Sequence, residues 1–201
     1  MNRFSVAFVL GGTVLLAILS YAVFTIFNSP STQTTNLAEV PVINKTDKPT
    51  EITSGLPVSL QIPKLEVDAK VLYKGLTPDG DMDVPENNFK DVGWYQYGFR
   101  PGNAGTAVIA GHVNGKNERG VFIELHKLVN GDTIKIVDDK NNTISFVVRD
   151  IRNYDQNDRP EEVFNSGAGS HLNLITCAGS WNANEQRFPI RLVVFADKIE
   201  N

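Results

Sequence analysis

Two hydrophobic patterns divide this chain. From Phe4 to Phe27 there is neither a charge nor a proline, whereas from residue 55 onward the apolar positions come in short runs broken by turn chemistry. The runs are Val58 to Ile62, Ala69 to Leu72, Thr106 to Gly111, Thr133 to Val137, Ile144 to Asp150, Leu172 to Thr176 and Arg191 to Ala196. Between them lie Pro78-Asp79-Gly80, Pro101-Gly102-Asn103, Asn130-Gly131-Asp132 and Asp139-Lys140-Asn141-Asn142, whose residues favour tight turns. Helical signals are few: Val121 to Leu128 predicts one or two turns, and Pro160-Glu161-Glu162-Val163-Phe164 reads as a helix start. Many short strands without long helices between them predict a mainly β fold, an antiparallel or mixed barrel or sandwich.

The uninterrupted first pattern, as a helix rising roughly 1.5 Å per residue, would span about 36 Å, enough to cross a bilayer. It is longer than the apolar part of a secretory signal and runs into Asn28-Ser29-Pro30 without an Ala-x-Ala cleavage site, which predicts an uncleaved signal anchor. Arg3 precedes it and no Lys or Arg follows until Lys45, so the positive-inside rule puts the amino terminus in the cytoplasm and the remainder outside. Residues 28–54, rich in Thr, Ser, Pro and Asn, are expected to form a flexible stalk. Residues 55–201 then form one globular domain, large enough for a single core.

The formal net charge of −4 over 201 residues, with no long basic run, argues against a nucleic-acid partner. The single cysteine, Cys177, changes the picture most. Outside the cytoplasm cysteines are normally paired, and this one has no intramolecular partner. A catalytic thiol needs a base or cation to hold it as thiolate and a donor for the oxyanion that develops in acyl transfer. His112 sits where the run Ala107-Val108-Ile109-Ala110-Gly111 enters a polar loop; His171, six residues before Cys177, shares its strand face by alternation. By spacing alone His112 leads His171 only modestly, and His126 lies on a solvated turn. For the donor, Arg191 opens the last apolar run and Arg187 lies four residues earlier. Asp79, Asp81 and Asp83 alternate like calcium-loop ligands, but Val84 and Lys90 stand where that loop needs Gly and Glu, so a turn without metal is expected.

In these residues the chain resembles the sortases, cysteine transpeptidases of Gram-positive surfaces. Leu174-Ile175-Thr176-Cys177 matches the family's Leu-x-Thr-Cys, preceded by Asn173 where the family usually has Thr; His112 and Arg191 match its histidine and arginine, and the resemblance runs roughly from Val58 to Lys198. Gly93-Trp94-Tyr95, Pro101-Gly102 and Gly105-Thr106-Ala107 further resemble class E and F sortases. The resemblance implies a closed eight-stranded sortase β-barrel and no cofactor. It implies a substrate with a Leu-Pro-x-Thr-Gly-like (LPXTG-like) sorting signal, and as acceptor an amine of a cell-wall precursor or pilin. It casts Cys177 as nucleophile, His112 as acid and base, and Arg191 as oxyanion donor and substrate ligand, with Asn173 and Thr176 at the substrate. Two other readings stand beside it: an exported cysteine peptidase or L,D-transpeptidase, whose usual Ser-His-Gly-Cys setting is missing here, and a non-catalytic adhesion or sensor ectodomain.

Overall fold

The computed structural model describes residues 54–200, apart from positions 79, 87, 116 and 117. The expected anchor at 4–27 and all but the last residue of the expected stalk lie outside the described residues, among which no helix is long and apolar enough to cross a membrane.

Eight strands close into one barrel: β1 (Pro57–Ile62), β2 (Val67–Lys74), β3 (Val92–Tyr95), β4 (Gly105–Gly111), β5 (Thr133–Asp138), β6 (Thr143–Asp155), β7 (Ser170–Ala178) and β8 (Ile190–Lys198). Around the barrel they run β1-β2-β3-β4-β7-β8-β6-β5, with β2 and β3 parallel, β4 and β7 parallel, and every other pairing antiparallel. Seven of the strands grow from the seven apolar runs. The eighth, β3, is four residues with a glycine inside, too short to show alternation on its own. Closure leaves no free sheet edge.

Alternation sorts the side chains. On β7, Leu172 and Leu174 point into the barrel; on β8, Leu192, Val194 and Ala196 do so, joining Ile62, Trp94, Ile109, Phe122, Ile136 and Phe146 in one core. The opposite faces of β7 and β8 are also covered. Val193 and Phe195 pack with Val163, Tyr154 and Ile175 in a second, smaller cluster outside the barrel. Its cover is the connection from β6 to β7, which carries a single 3₁₀ turn at Glu161–Val163. The helical signal at 121–128 likewise yields only a 3₁₀ turn, Leu125–Lys127, because Phe122, Leu125 and Leu128 are anchored in the core and the segment is too short to extend. Strand β6 continues five residues past the expected end at Asp150, with an irregularity between Val148 and Asp150. Past Asp150 the strand carries the polar residues Arg152, Asn153 and Asp155, and pairing with β8 holds them extended.

The entry of the chain into the barrel is fixed by one buried carboxylate. Asp138 is fully buried and accepts hydrogen bonds from the backbone N–H groups of Gly55 (2.7 Å), Lys140 (3.0 Å) and Asn142 (2.8 Å) and from the Asn142 amide (3.0 Å). Burial by itself would raise its pKa, yet the side-chain and backbone donors outweigh it and hold the group below the usual aspartate value. Ser54, expected at the end of the stalk, is already part of the domain: its N–H and hydroxyl both donate to Asn103 Oδ1, at 3.1 and 2.8 Å.

The depressed pKa makes Asp138 a stabilising group above the pH at which it titrates in the unfolded chain, and that contribution is lost as pH falls through its lower folded value. Asp138→Asn, which loses charge-assisted acceptors, should cost about 2 kcal/mol at neutral pH. The gap between wild type and variant should narrow below roughly pH 4. Urea unfolding of residues 54–201 across that range checks both.

Candidate active site

Three neighbouring strands bring the expected residues together. Parallel pairing of β4 with β7 sets Ile109 beside Leu174 and Ala110 beside Ile175, so His112, just past the end of β4, arrives level with Cys177. Antiparallel pairing of β7 with β8 sets Cys177 directly opposite Arg191. Imidazole, thiol and guanidinium therefore occupy one row across β4, β7 and β8, and all three line one cavity of about 310 Å³. Its walls come from two loops, Gly80 to Val84 after β2 and Gln156 to Phe164 after β6.

Each member is held from behind. Thr176 points the other way from Cys177, is buried, and donates to the Gly111 carbonyl at 2.8 Å, tying the Cys177 strand to the residue before His112. His112 is clamped by its own carbonyl, which accepts from Phe122 N–H at 2.9 Å, and by Gly120, where an added Cβ would lie 2.2 Å from that oxygen. Its ring packs on Phe89, centroids 4.7 Å apart, and Nε2 lies 2.8 Å from the Pro85 carbonyl. A carbonyl can only accept, so Nε2 carries a hydrogen and in the neutral ring Nδ1 is the basic atom. Arg191 Nη1 donates to the carbonyls of Phe188 (3.2 Å) and Ile190 (3.3 Å).

The thiol feels opposing influences. Burial pushes the Cys177 pKa up, the Arg191 charge pulls it down, and the Asp81 carboxylate pushes it up again; the net shift is upward. The resting site is thus mainly a protonated thiol at neutral pH, and a thiolate needs proton transfer to a partner. The arrangement sets a thiol, an imidazole and a guanidinium around one cavity, the kinds of group that acyl transfer through a thioester requires.

A scan against family models matches residues 60–199 to the sortase domain. The chain belongs to the sortase family. No curated protein matches it. Among solved structures, sortase C-1 from Actinomyces oris is 19% identical, with a TM-score of 0.57 over 72% of this chain and 76% of that one. Sortase A from Corynebacterium diphtheriae is 20% identical, with a TM-score of 0.54 over 74% and 62%. A sortase D5 transpeptidase from Clostridium perfringens is 23% identical, with a TM-score of 0.53 over 73% and 79%. These likenesses place the chain's fold among sortase barrels.

The other residues singled out from sequence fall elsewhere in this sortase. His171 shares the outer face of β7 with Cys177 but sits at the far end of the strand, its Nδ1 2.7 Å from Asp197 and Nε2 2.8 Å from the Ala168 carbonyl. His126 is exposed on its 3₁₀ turn. Arg187 pairs with Glu185 at 2.9 Å on the β7–β8 connection and does not line the cavity. Asn173 is fully buried beneath the β6–β7 connection, donating to the Val163 carbonyl (2.7 Å) and Ser166 Oγ (3.1 Å); it shapes the groove through the loop it holds and is not among the cavity-lining residues. Asp81 and Asp83 are each ion-paired, with Arg159 and Lys74, and Asp79 lies outside the described residues. The cavity also contains residues that sequence reading passed over, Tyr154, Arg159 and Phe164 among them, whose position depends on a loop folding back over β7 and β8.

The opposed charges predict the reactivity of the thiol. Iodoacetamide alkylation of Cys177, followed by mass spectrometry, should accelerate as pH rises from neutral. At fixed pH it should be slower in Arg191→Ala, which loses the acidifying cation, and faster in Asp81→Asn, which loses the opposing charge. Thr176→Val keeps the shape but strands the Gly111 carbonyl, and should cost about 1 to 2 kcal/mol in urea unfolding.

Proposed function

We infer that this sortase is a membrane-anchored transpeptidase that cleaves an LPXTG-like sorting signal between Thr and Gly. Cys177 passes its thiol proton to His112 and Sγ attacks the threonine carbonyl; as the tetrahedral intermediate collapses, the C–N bond breaks, leaving a thioester on Cys177. His112 gives its proton to the departing glycine amine, then takes one from an incoming amine that attacks the thioester; Cys177 leaves as thiolate and regains a proton from His112. Arg191 stabilises the oxyanion at both tetrahedral stages. The observation that carries this reading is the single row of Cys177, His112 and Arg191 facing one cavity, set by β4, β7 and β8.

The raised thiol pKa fits a coupled pair in which thiolate and imidazolium form together, so activity follows both protonation states and a bell-shaped profile belongs to the pair. The uncharged stretch at 4–27 supports a single-pass anchor with the barrel outside the membrane, and a solitary cysteine suits an oxidising compartment because no second thiol can trap it. The acceptor is an amine of a cell-wall precursor or a pilin. The Gly93-Trp94-Tyr95 and Pro101-Gly102 segments favour a class E or F type enzyme.

Incubating residues 54–201 with Leu-Pro-x-Thr-Gly-like peptides and amines should give a thioacyl adduct on Cys177 and a transfer product by mass spectrometry, both absent in Cys177→Ala. Identical behaviour of wild type and Cys177→Ala would end the transpeptidase reading. Arg191→Ala should lower kcat by about 10²-fold or more, as for loss of one oxyanion donor, whereas Arg187→Ala should leave it nearly unchanged.

A further inference from the structure

One ion pair spans the cavity from wall to wall. Arg159 Nη2, on the loop after β6, lies 2.6 Å from Asp81 Oδ1, on the loop after β2, and both residues line the same space as Cys177. The two terminal nitrogens of the guanidinium are used differently. Nη1 donates to the carbonyls of Gln156 (3.2 Å) and Asp158 (3.1 Å) within its own loop, which fixes the plane of the group, while Nη2 is presented across the gap. The side chains are 60% and 54% exposed, so the pair is solvated and worth little by itself; a second carboxylate can replace the first at small cost. The other cavity-lining acid, Asp158, accepts from the Asp155 N–H at 3.1 Å, and the other cation, Arg191, faces the thiol's own register position.

Resting on the transpeptidase reading, we propose that Arg159 is a specificity-determining residue that binds an acidic side chain of the donor peptide by exchanging it for Asp81. A planar guanidinium already oriented by its loop is suited to a carboxylate, and a cavity of about 310 Å³ holds only the few residues next to the scissile carbonyl. The acidic residue therefore occupies the variable position of the sorting signal. Asp81 keeps the loops together and the guanidinium paired until that residue arrives.

The test uses peptides Leu-Pro-x-Thr-Gly with x as Glu, Gln or Lys. Fluorescence anisotropy on the Cys177→Ala background gives Kd, and turnover with the active thiol gives kcat and KM. Wild type should bind the Glu peptide about three- to fivefold more tightly than the Gln peptide, the range of an exposed ion pair, with Lys weakest and the preference shrinking at high salt. Arg159→Gln should abolish the Glu preference in both Kd and KM; Arg159→Lys should retain part of it. Asp81→Asn, which removes the internal competitor, should widen it. Thermal melts confirm that these exposed variants fold. Cys177-dependent turnover with the same Glu, Gln and Lys ranking in wild type and Arg159→Gln would overturn this inference alone. Absence of Cys177-dependent turnover on every peptide would overturn the transpeptidase reading and this inference with it.

Discussion

The parallel pairing of β4 with β7, inside a closed barrel, is the constraint on which the rest of this protein depends. His112 and Cys177 stand on different strands, and the ladder between those strands decides whether they meet. A slip of one residue would turn Cys177 from the outer face to the packed interior, where Thr176 now sits. That slip is opposed on both sides of β7: Leu172 and Leu174 are fixed in the core, and Ile175 is fixed in the outer cluster. The Thr176 hydroxyl on the Gly111 carbonyl adds a side-chain lock at the level of the site. Closure of the barrel brings β8 against the other edge of β7, and Arg191 completes the row.

Side chains carried on strands gain rigidity, but a strand row alone is an open surface. The enclosing walls come from the loops after β2 and β6, and the latter is held down by apolar and polar contacts together. Val163 packs on Val193 and Phe195, while Asn173 reaches up from β7 to the Val163 carbonyl. Phe195 is covered further by the guanidinium groups of Arg149 and Arg152, 5.2 and 5.3 Å from its ring centre. Burial of Cys177 on the cavity wall raises the thiol pKa, and Arg191 moderates the effect. A thiol kept mostly protonated is less prone to oxidation.

Seven strands were legible because each buries at least one face, and β4, β7 and β8 much of both, and shows this as a run of apolar residues. Strand β3 was not, since four residues around Gly93 carry no period, and the polar end of β6 fell outside the apolar run because its partner, not its own side chains, keeps it extended. The short helical signals came out as 3₁₀ turns for want of length. Cys177 stood out as the single thiol; strand-end position gave His112 a modest lead over His171 and favoured Arg191 over Arg187, and the resemblance to the sortases singled out His112 and Arg191. Strand alternation correctly put His171 on the face of Cys177 but could not show that it sits at the other end of the strand against Asp197.

The sequence by itself determined that this chain has a β-rich domain after a long uncharged apolar segment, and that one thiol, with two candidate imidazoles and two candidate guanidiniums, makes up its chemical resources. Those are local properties, written in composition and alternation. Register, the loop folded over β7 and β8, the burial of Asn173 and the pairing of Asp81 with Arg159 across 78 positions were decided by the tertiary structure. They depend on which strands become neighbours when the barrel closes, and neighbours distant in the chain leave no trace in the pattern around either one.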